Sequence, residues 1–338
     1  MHLPTTRRDT LKILGGTAAV GAASWVPAAR ADAKPKMVFI HKIAGIPWVN
    51  LMKDGVVQGG NDFNIDATLI GPTAADPALQ ARLVEDVIAQ NVAVLGVDPL
   101  DPNVLAPLLK RAQDSGIKVL TLEGINQPNR DWDVSMVSPA VYGETIMKQM
   151  AAGMGYKGQY VIIVGGLTTP LHKLWADAGV AYQEKQYPDM KQATERFGMG
   201  ESLDDTQKTV LNILEAHPKV TGFFLTASPS PIGAGNALRQ LRNHRVTVVG
   251  SCIPSQARSL LDQGYIKECV LWSPKMSGYA VVAVARVVLD GKPMVSGMNV
   301  PGVGNATIAH NATGGIVELN QIIEVTKSNA SKYMAQGL

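Results

Sequence analysis

Residues 92–122 read VAVLGVDPLDPNVLAPLLKRAQDSGIKVLTL, and their order decides the fold class. Val92–Val97 is a short apolar run that stops at Asp98-Pro99. Asp101–Ser115 follows with helical spacing, and Lys118–Leu122 is a second β-branched run entered just after Gly116. Short apolar runs bounded by Gly, Pro, Asp or Asn, with helix-length segments between them, are how parallel strands buried on both faces read. The same rhythm continues outward in both directions. Upstream, strands are expected at Lys36–Ile40 and Asp66–Ile70, with helices over about 48–60 and 76–90. Downstream, past a polar stretch holding Asn126, Pro128, Asn129 and Asp131, strands are expected at Val134–Val137, Tyr160–Val164, Gln192–Phe197, Gly222–Leu225, Val246–Val249 and Glu268–Leu271. Helices fall between them near 140–153, 170–187, 203–216, 231–242 and 254–263, and a last one spans about 276–290. Strand and helix alternating from end to end make an α/β protein, and the length suits two doubly wound parallel-sheet units of ~150 residues each.

The first 31 residues read as an export signal that is removed. Thr6-Arg7-Arg8-Asp9-Thr10-Leu11-Lys12 supplies paired arginines, Ile13–Val26 is apolar and uncharged, and Ala29-Arg30-Ala31 offers small residues at the cleavage positions. This is the twin-arginine pattern, and it places the mature chain in the periplasm. A membrane anchor is excluded because fourteen residues at 1.5 Å each do not cross a ~30 Å hydrocarbon core. The signal also changes the charge. The whole chain carries 31 Lys+Arg against 28 Asp+Glu, and removing Arg7, Arg8, Lys12, Arg30 and Asp9 leaves 27 of each. A neutral mature protein has no electrostatic reason to bind nucleic acid or an anionic membrane. The two cysteines, Cys252 and Cys269, can pair in an oxidising compartment or remain as buried thiols, and the sequence leaves both open.

The machinery of an enzyme is missing. His41–Pro47, after the first strand, contains only Gly45, so there is no Gly-x-Gly-x-x-Gly and no phosphate loop ending in Gly-Lys-Ser/Thr. Gly233-Ala-Gly235 lies inside a helix and reads as close helix packing. No Gly-x-Ser-x-Gly elbow occurs, and no two of the six histidines stand at metal-ligand spacing. Neither a cofactor, a metal nor catalysis is therefore expected. An exported glycosidase or dehydrogenase is the reading from another class, and a cytoplasmic repressor would need an N-terminal helix-turn-helix that is absent.

Doubly wound sheets bind ligands beyond the carboxyl ends of their strands. The segments at those ends are 42–50, Asp98, 123–126, 165–173, 226–230, Ser251-Cys252 and 272–274. Trp48 offers a flat apolar face of the kind that packs on the C–H face of a sugar ring, while Lys42 can donate to hydroxyls and Glu123 can accept from them. Plainer roles stay open. Trp48 can cap the core, Lys42 can be a solvated loop lysine, Glu123 a capping or hinge carboxylate, and Trp272 an interdomain packing residue.

Ile40-His-Lys-Ile-Ala-Gly-Ile-Pro-Trp-Val-Asn-Leu-Met-Lys-Asp-Gly55 resembles the first strand–loop–helix of periplasmic sugar-binding proteins. Residues 90–99, 116–123, 248–254 and 264–274 resemble later signatures of that family, and the likeness covers nearly all of 36–325. It is nearest the rhamnose-binding and autoinducer-binding subgroup of the type I, ribose-binding-like class, through Lys42 and the Leu271-Trp272 pair. The resemblance implies two lobes joined by a three-segment hinge, with 36–138 and 273–302 forming one lobe and 139–272 and 303–338 the other. It further implies a monomer that closes on a small carbohydrate and delivers it to an inner-membrane ABC permease, or presents it to a signalling receptor. Lys42, Trp48, Glu123, His172, Thr226, Ser228 and Trp272 fall on or beside the family's ligand positions. Three features depart from the pattern. Glu123 stands where Asp is usual, Leu171-His172 replaces the acid and amide of autoinducer binders, and Ser251-Cys252 replaces an aromatic–Asp pair of ribose binders.

Overall fold

A computed structural model of the chain describes residues 34–338, so the export signal lies outside the described residues. The chain begins with β1 (Lys36–Ile40), α1 (Pro47–Asp62), β2 (Asp66–Ile70), α2 (Pro77–Ala89), β3 (Val94–Val97), α3 (Pro102–Asp114), β4 (Lys118–Leu122) and β5 (Trp132–Ser135). A second series follows: α4 (Pro139–Met154), β6 (Gly158–Ile163), α5 (Pro170–Gln186), β7 (Met190–Gln192), α6 (Leu203–Ala216), β8 (Val220–Leu225), α7 (Pro229–Leu241), β9 (Thr247–Gly250), α8 (Pro254–Asp262) and β10 (Glu268–Leu271). Last come α9 (Pro274–Leu289), β11 (Asn299–Val300), β12 (Gly304–Asn305), β13 (Thr307–Asn311), β14 (Gly314–Glu318), β15 (Ile323–Val325) and α10 (Ala330–Met334).

These strands form two sheets. The first has the order β13-β14-β5-β4-β3-β1-β2 and the second β15-β10-β9-β8-β6-β7, while β11 and β12 make a separate two-stranded ribbon. Apart from the antiparallel pairs β13–β14 and β10–β15, neighbours within both sheets run parallel. Helices cover the sheets, giving the two doubly wound α/β lobes of the expected class. None of the described helices is long and apolar enough to cross a membrane.

Proline sets the helix starts. Helices α1 to α5 and α7 to α9 all carry it in their first turn. There its missing N–H costs nothing and its φ is already helical. Asp76 and Asp101 add carboxylate caps to α2 and α3. Gly233 and Gly235 do serve packing. A Cβ on the first would lie 2.5 Å from the Leu203 carbonyl oxygen, and one on the second 2.8 Å from Leu260 Cδ1.

Three features differ from the sequence reading. The expected strand Gln192–Phe197 ends at Gln192, and only an isolated bridge between Ile163 and Phe197 continues it, so 193–202 runs as an irregular segment beside the cleft. The final crossing between lobes is also later than the expected break at 302/303. β13 and β14 are hydrogen-bonded into the first sheet, with Val317 opposite Val134, so 303–318 belong with the first lobe and the chain crosses only at 319–322. The buried Ile316 and Val317 account for this, because the apolar flank of β5 is where they are covered. The cysteine alternatives resolve into a Cys252–Cys269 disulfide, with Cα atoms 5.3 Å apart, tying the loop after β9 to β10.

Candidate functional site

The carboxyl ends of both sheets face a shared cavity of about 30 Å³, so the lobes stand nearly closed on one another here. All seven residues singled out in the sequence line it: Lys42, Trp48, Glu123, His172, Thr226, Ser228 and Trp272. His41, Ile46, Trp175, Glu201, Ala227 and Ser251 complete the wall. Lys42 and Glu123 follow β1 and β4 of the first lobe, and Trp48 opens α1. Thr226 and Trp272 follow β8 and β10 of the second lobe, whereas His172 and Trp175 come from the first turns of α5.

A buried ammonium organises the polar half. Lys42 Nζ lies 2.8 Å from Glu123 Oε2, 3.4 Å from Asp98 Oδ2 and 4.0 Å from Glu201 Oε1, and Glu201 belongs to the opposite lobe. Burial alone would lower the Lys42 pKa, but the carboxylates of Asp98, Glu123 and Glu201 outweigh it, so the value is raised and the group stays charged. Burial holds the Asp98 carboxyl well above its ordinary range despite Lys42, and it raises Glu201 in the same way. The histidines are neutral. Burial, reinforced by Lys42, lowers His41 to about 3, and burial with Lys42 and His41 pushes His172 well below its usual value.

The tautomer of His172 follows from its neighbours. The Gly165 backbone N–H donates to Nδ1 at 2.9 Å, so Nε2 carries the proton. Nε2 then faces Lys42 Nζ, another donor, at 3.3 Å, and the acceptor available to both is Glu123 Oε2, 3.9 Å from Nε2. Gly165 is itself dictated by the site, because a Cβ there would stand 2.6 Å from Glu201 Oε1 and 2.7 Å from the His172 ring.

The apolar half is built of indoles. Trp48 meets Trp272 edge-on at 5.6 Å, Trp175 meets Trp272 at 5.5 Å, and Trp175 stacks on His172 at 5.0 Å. Trp48 thus both packs on the core and walls the cavity. Three lining residues keep a buried polar atom without a protein partner: Trp175 Nε1, Trp272 Nε1 and Thr226 Oγ1. Unpaired donors, facing carboxyl groups and flat apolar walls are the chemistry that recognises a compact polyhydroxy molecule, and at about 30 Å³ the cleft must part to admit one. Among the described residues no group of three His, Cys, Asp or Glu side chains is placed to hold a metal ion.

Two wall residues were not singled out in the sequence. Trp175 stands one helical turn beyond His172 and reads as an ordinary core aromatic. Glu201 follows a stretch read as strand, so the strand-end rule that found Glu123 would have found it as well.

A model of the periplasmic binding protein domain matches residues 37–293, most of the described chain. The chain belongs to this family of periplasmic binding proteins. Among curated relatives, the ribose import binding protein of Salmonella typhimurium is 24% identical over 289 residues, covering 83% of this chain and 94% of its own length. The D-ribose/D-allose-binding protein of Pseudomonas aeruginosa is 23% identical, covering 71% and 78%. Solved structures with the same fold include LsrB from Clostridium saccharobutylicum in complex with AI-2, with a TM-score of 0.82 and 18% identity over 88% of this chain and 99% of that one. Another is an ABC transporter solute-binding protein from Clostridium phytofermentas with bound L-rhamnose, with a TM-score of 0.81 and 18% identity over 90% and 99%. In this periplasmic binding protein the cleft between the sheets is the switch-point crevice that the fold reserves for ligands.

Proposed function

We propose that the protein captures a monosaccharide, deoxysugar or sugar alcohol between its lobes and delivers it to an inner-membrane ABC permease. The observation carrying this reading is the cavity wall. Three indoles are set against Lys42, Glu123, Glu201 and His172, with indole N–H and hydroxyl groups left unpaired for a ligand. Sugars divide in the same way, into an apolar C–H face and a polar edge. The paired arginines and apolar run of the leader support a periplasmic location reached by the twin-arginine route, and the balanced mature charge supports the absence of a nucleic-acid partner. The protein acts as a monomer and binds without chemical turnover. Thermal-shift screening and calorimetry on pentoses, hexoses, 6-deoxyhexoses and alditols test the proposal. At least one compound should raise Tm and bind with stoichiometry near one per chain, whereas no response across such a panel would refute the carbohydrate reading.

A further inference from the structure

Carboxyl groups outnumber cations in the cleft. Within 4.0 Å of the single ammonium of Lys42 stand three carboxyl groups, those of Asp98, Glu123 and Glu201, while both nearby histidines are neutral. The three differ in position. Glu123 is matched to Lys42 at 2.8 Å. Asp98 is 1% exposed, stands beside His41 at 3.2 Å, and does not line the cavity. Glu201 does line it. Its carboxyl has Lys42 as a distant counter-charge at 4.0 Å and makes no hydrogen bond to the described residues.

The fold builds Glu201 into this place. It lies on the irregular segment that replaces the expected strand, and that segment is tied down by the Gly200 N–H, which donates to the Val164 carbonyl at 2.9 Å. Space for the carboxyl comes from Gly165, where any side chain would collide with Glu201 Oε1, and the close approach behind it from Gly200, whose Cβ would stand 2.8 Å from the Val164 oxygen. Two glycines thus hold a largely buried carboxyl beside Lys42, a cation already paired with a different acid. An anionic cargo would add a further negative charge close to Glu201, where burial weakens screening and Lys42 is already paired with Glu123.

We propose that Glu201 sets the charge selectivity of the cleft, so that the cargo is an uncharged or amine-bearing polyhydroxy compound and its carboxylate counterpart is rejected. This rests on the carbohydrate reading above. The probes are matched triads, namely glucose, glucosamine and glucuronate, and galactose, galactosamine and galacturonate. The pairs ribitol with ribonate and xylitol with xylonate are added. Each is titrated calorimetrically into the mature protein and into Glu201→Gln at pH 7.5 and low salt.

In any set whose neutral member binds, the acid should bind the wild type at least about a hundredfold more weakly, and the amine should outrank the acid. In Glu201→Gln the ratio of neutral to acid affinity should shrink by about tenfold or more. A purely structural role for Glu201 would weaken every member of a set alike and leave the ratio unchanged, and that outcome overturns the proposal. So does a wild type that binds an acid as tightly as its neutral partner, a result readable even if the variant does not fold. In both cases the carbohydrate reading survives, because sugars still bind. Where the thermal-shift panel responds to another sugar, that sugar with its acid counterpart forms the set, and if nothing in the panel or the sets binds, the carbohydrate reading falls and this inference with it.

Discussion

Glu123 follows β4 with φ at +59°, in the left-handed region, where a residue with a side chain costs about 1–3 kcal/mol. That conformation turns the carboxylate back toward Lys42, 2.8 Å away, and the pair is nearly dry, with side chains 5% and 7% exposed. Glu123→Gln keeps the backbone and the shape but removes the charge from an acceptor that both Lys42 and a sugar hydroxyl would use. Hydrogen bonds to charged groups contribute roughly 1.5–3 kcal/mol, so ligand affinity should fall about 10- to 150-fold, measured by calorimetry on whichever sugar responds in the screen. An unchanged Kd would remove Glu123 from the ligand's reach. At this scale the sequence was partly legible. Lys42 and Glu123 could be found because a strand ends immediately before them and the fold puts strand ends at the ligand. Trp175 could not, since nothing in a helical Trp tells a cavity wall from a core residue until its indole N–H is seen to lack a partner. The crowding of carboxyl groups was equally hidden, because Asp98 and Glu123 meet through the pairing of β3 with β4, and Glu201 reaches them only across the cleft.

At the scale of elements, the short parallel strands were legible because each is bounded by breakers, and the helices because proline announces most of them. The β13–β14 hairpin was not, since its membership depends on pairing with β5, far away in sequence. The edge of the second sheet holds another long-range pairing with a titratable consequence. β10 runs antiparallel to β15 with Val270 opposite Glu324, which makes Glu268 and Glu324 diagonal neighbours on one face. Burial first, and Glu324 second, push the Glu268 carboxyl up from its ordinary 4.5 to about 8. Between those values the folded protein keeps a proton that the unfolded chain releases. The stabilisation is therefore complete below about pH 4.5 and lost as pH rises through about 8. His41 and His172 act in the opposite sense, destabilising the fold as pH drops below their ordinary 6.5, but they are common to wild type and variant and cancel in a comparison. Glu268→Gln, an amide neutral at every pH, should thus gain in Tm relative to wild type as pH is raised from 5 to 8, by several degrees. A Tm difference that stays constant across that range would place the Glu268 pKa at its ordinary value.

For the molecule as a whole, the question is what holds the lobes together around the cavity. Contacts across the cleft among the described residues include Lys42 to Glu201, Trp48 to Trp272, and at the rim Thr168 Oγ1 donating to the Leu100 carbonyl at 3.0 Å. Opposing them are buried polar atoms without partners, on Asp98, Trp175, Thr226 and Trp272, each costing about 1–3 kcal/mol while it stays dry and unpaired. Opening hydrates the groups on the cavity wall and a polyhydroxy cargo would pair with them, so a ligand drives closure by as much as it prefers the closed cleft. Thr168 isolates that equilibrium, because it sits at the rim, is exposed, and does not line the cavity. Thr168→Ala removes one closed-state hydrogen bond and nothing the ligand touches. If closure and binding are one equilibrium, Kd should rise about 2- to 10-fold, the worth of a hydrogen bond of about 0.5–1.5 kcal/mol. The rise should appear in the dissociation rate, measured by stopped-flow tryptophan fluorescence, while the Tm of the ligand-free protein stays the same. Scattering should show the radius of gyration of the wild type falling on ligand addition. A Kd unmoved by the substitution, with no change in radius, would mean that the cleft is rigid and that ligands enter it without any movement of the lobes.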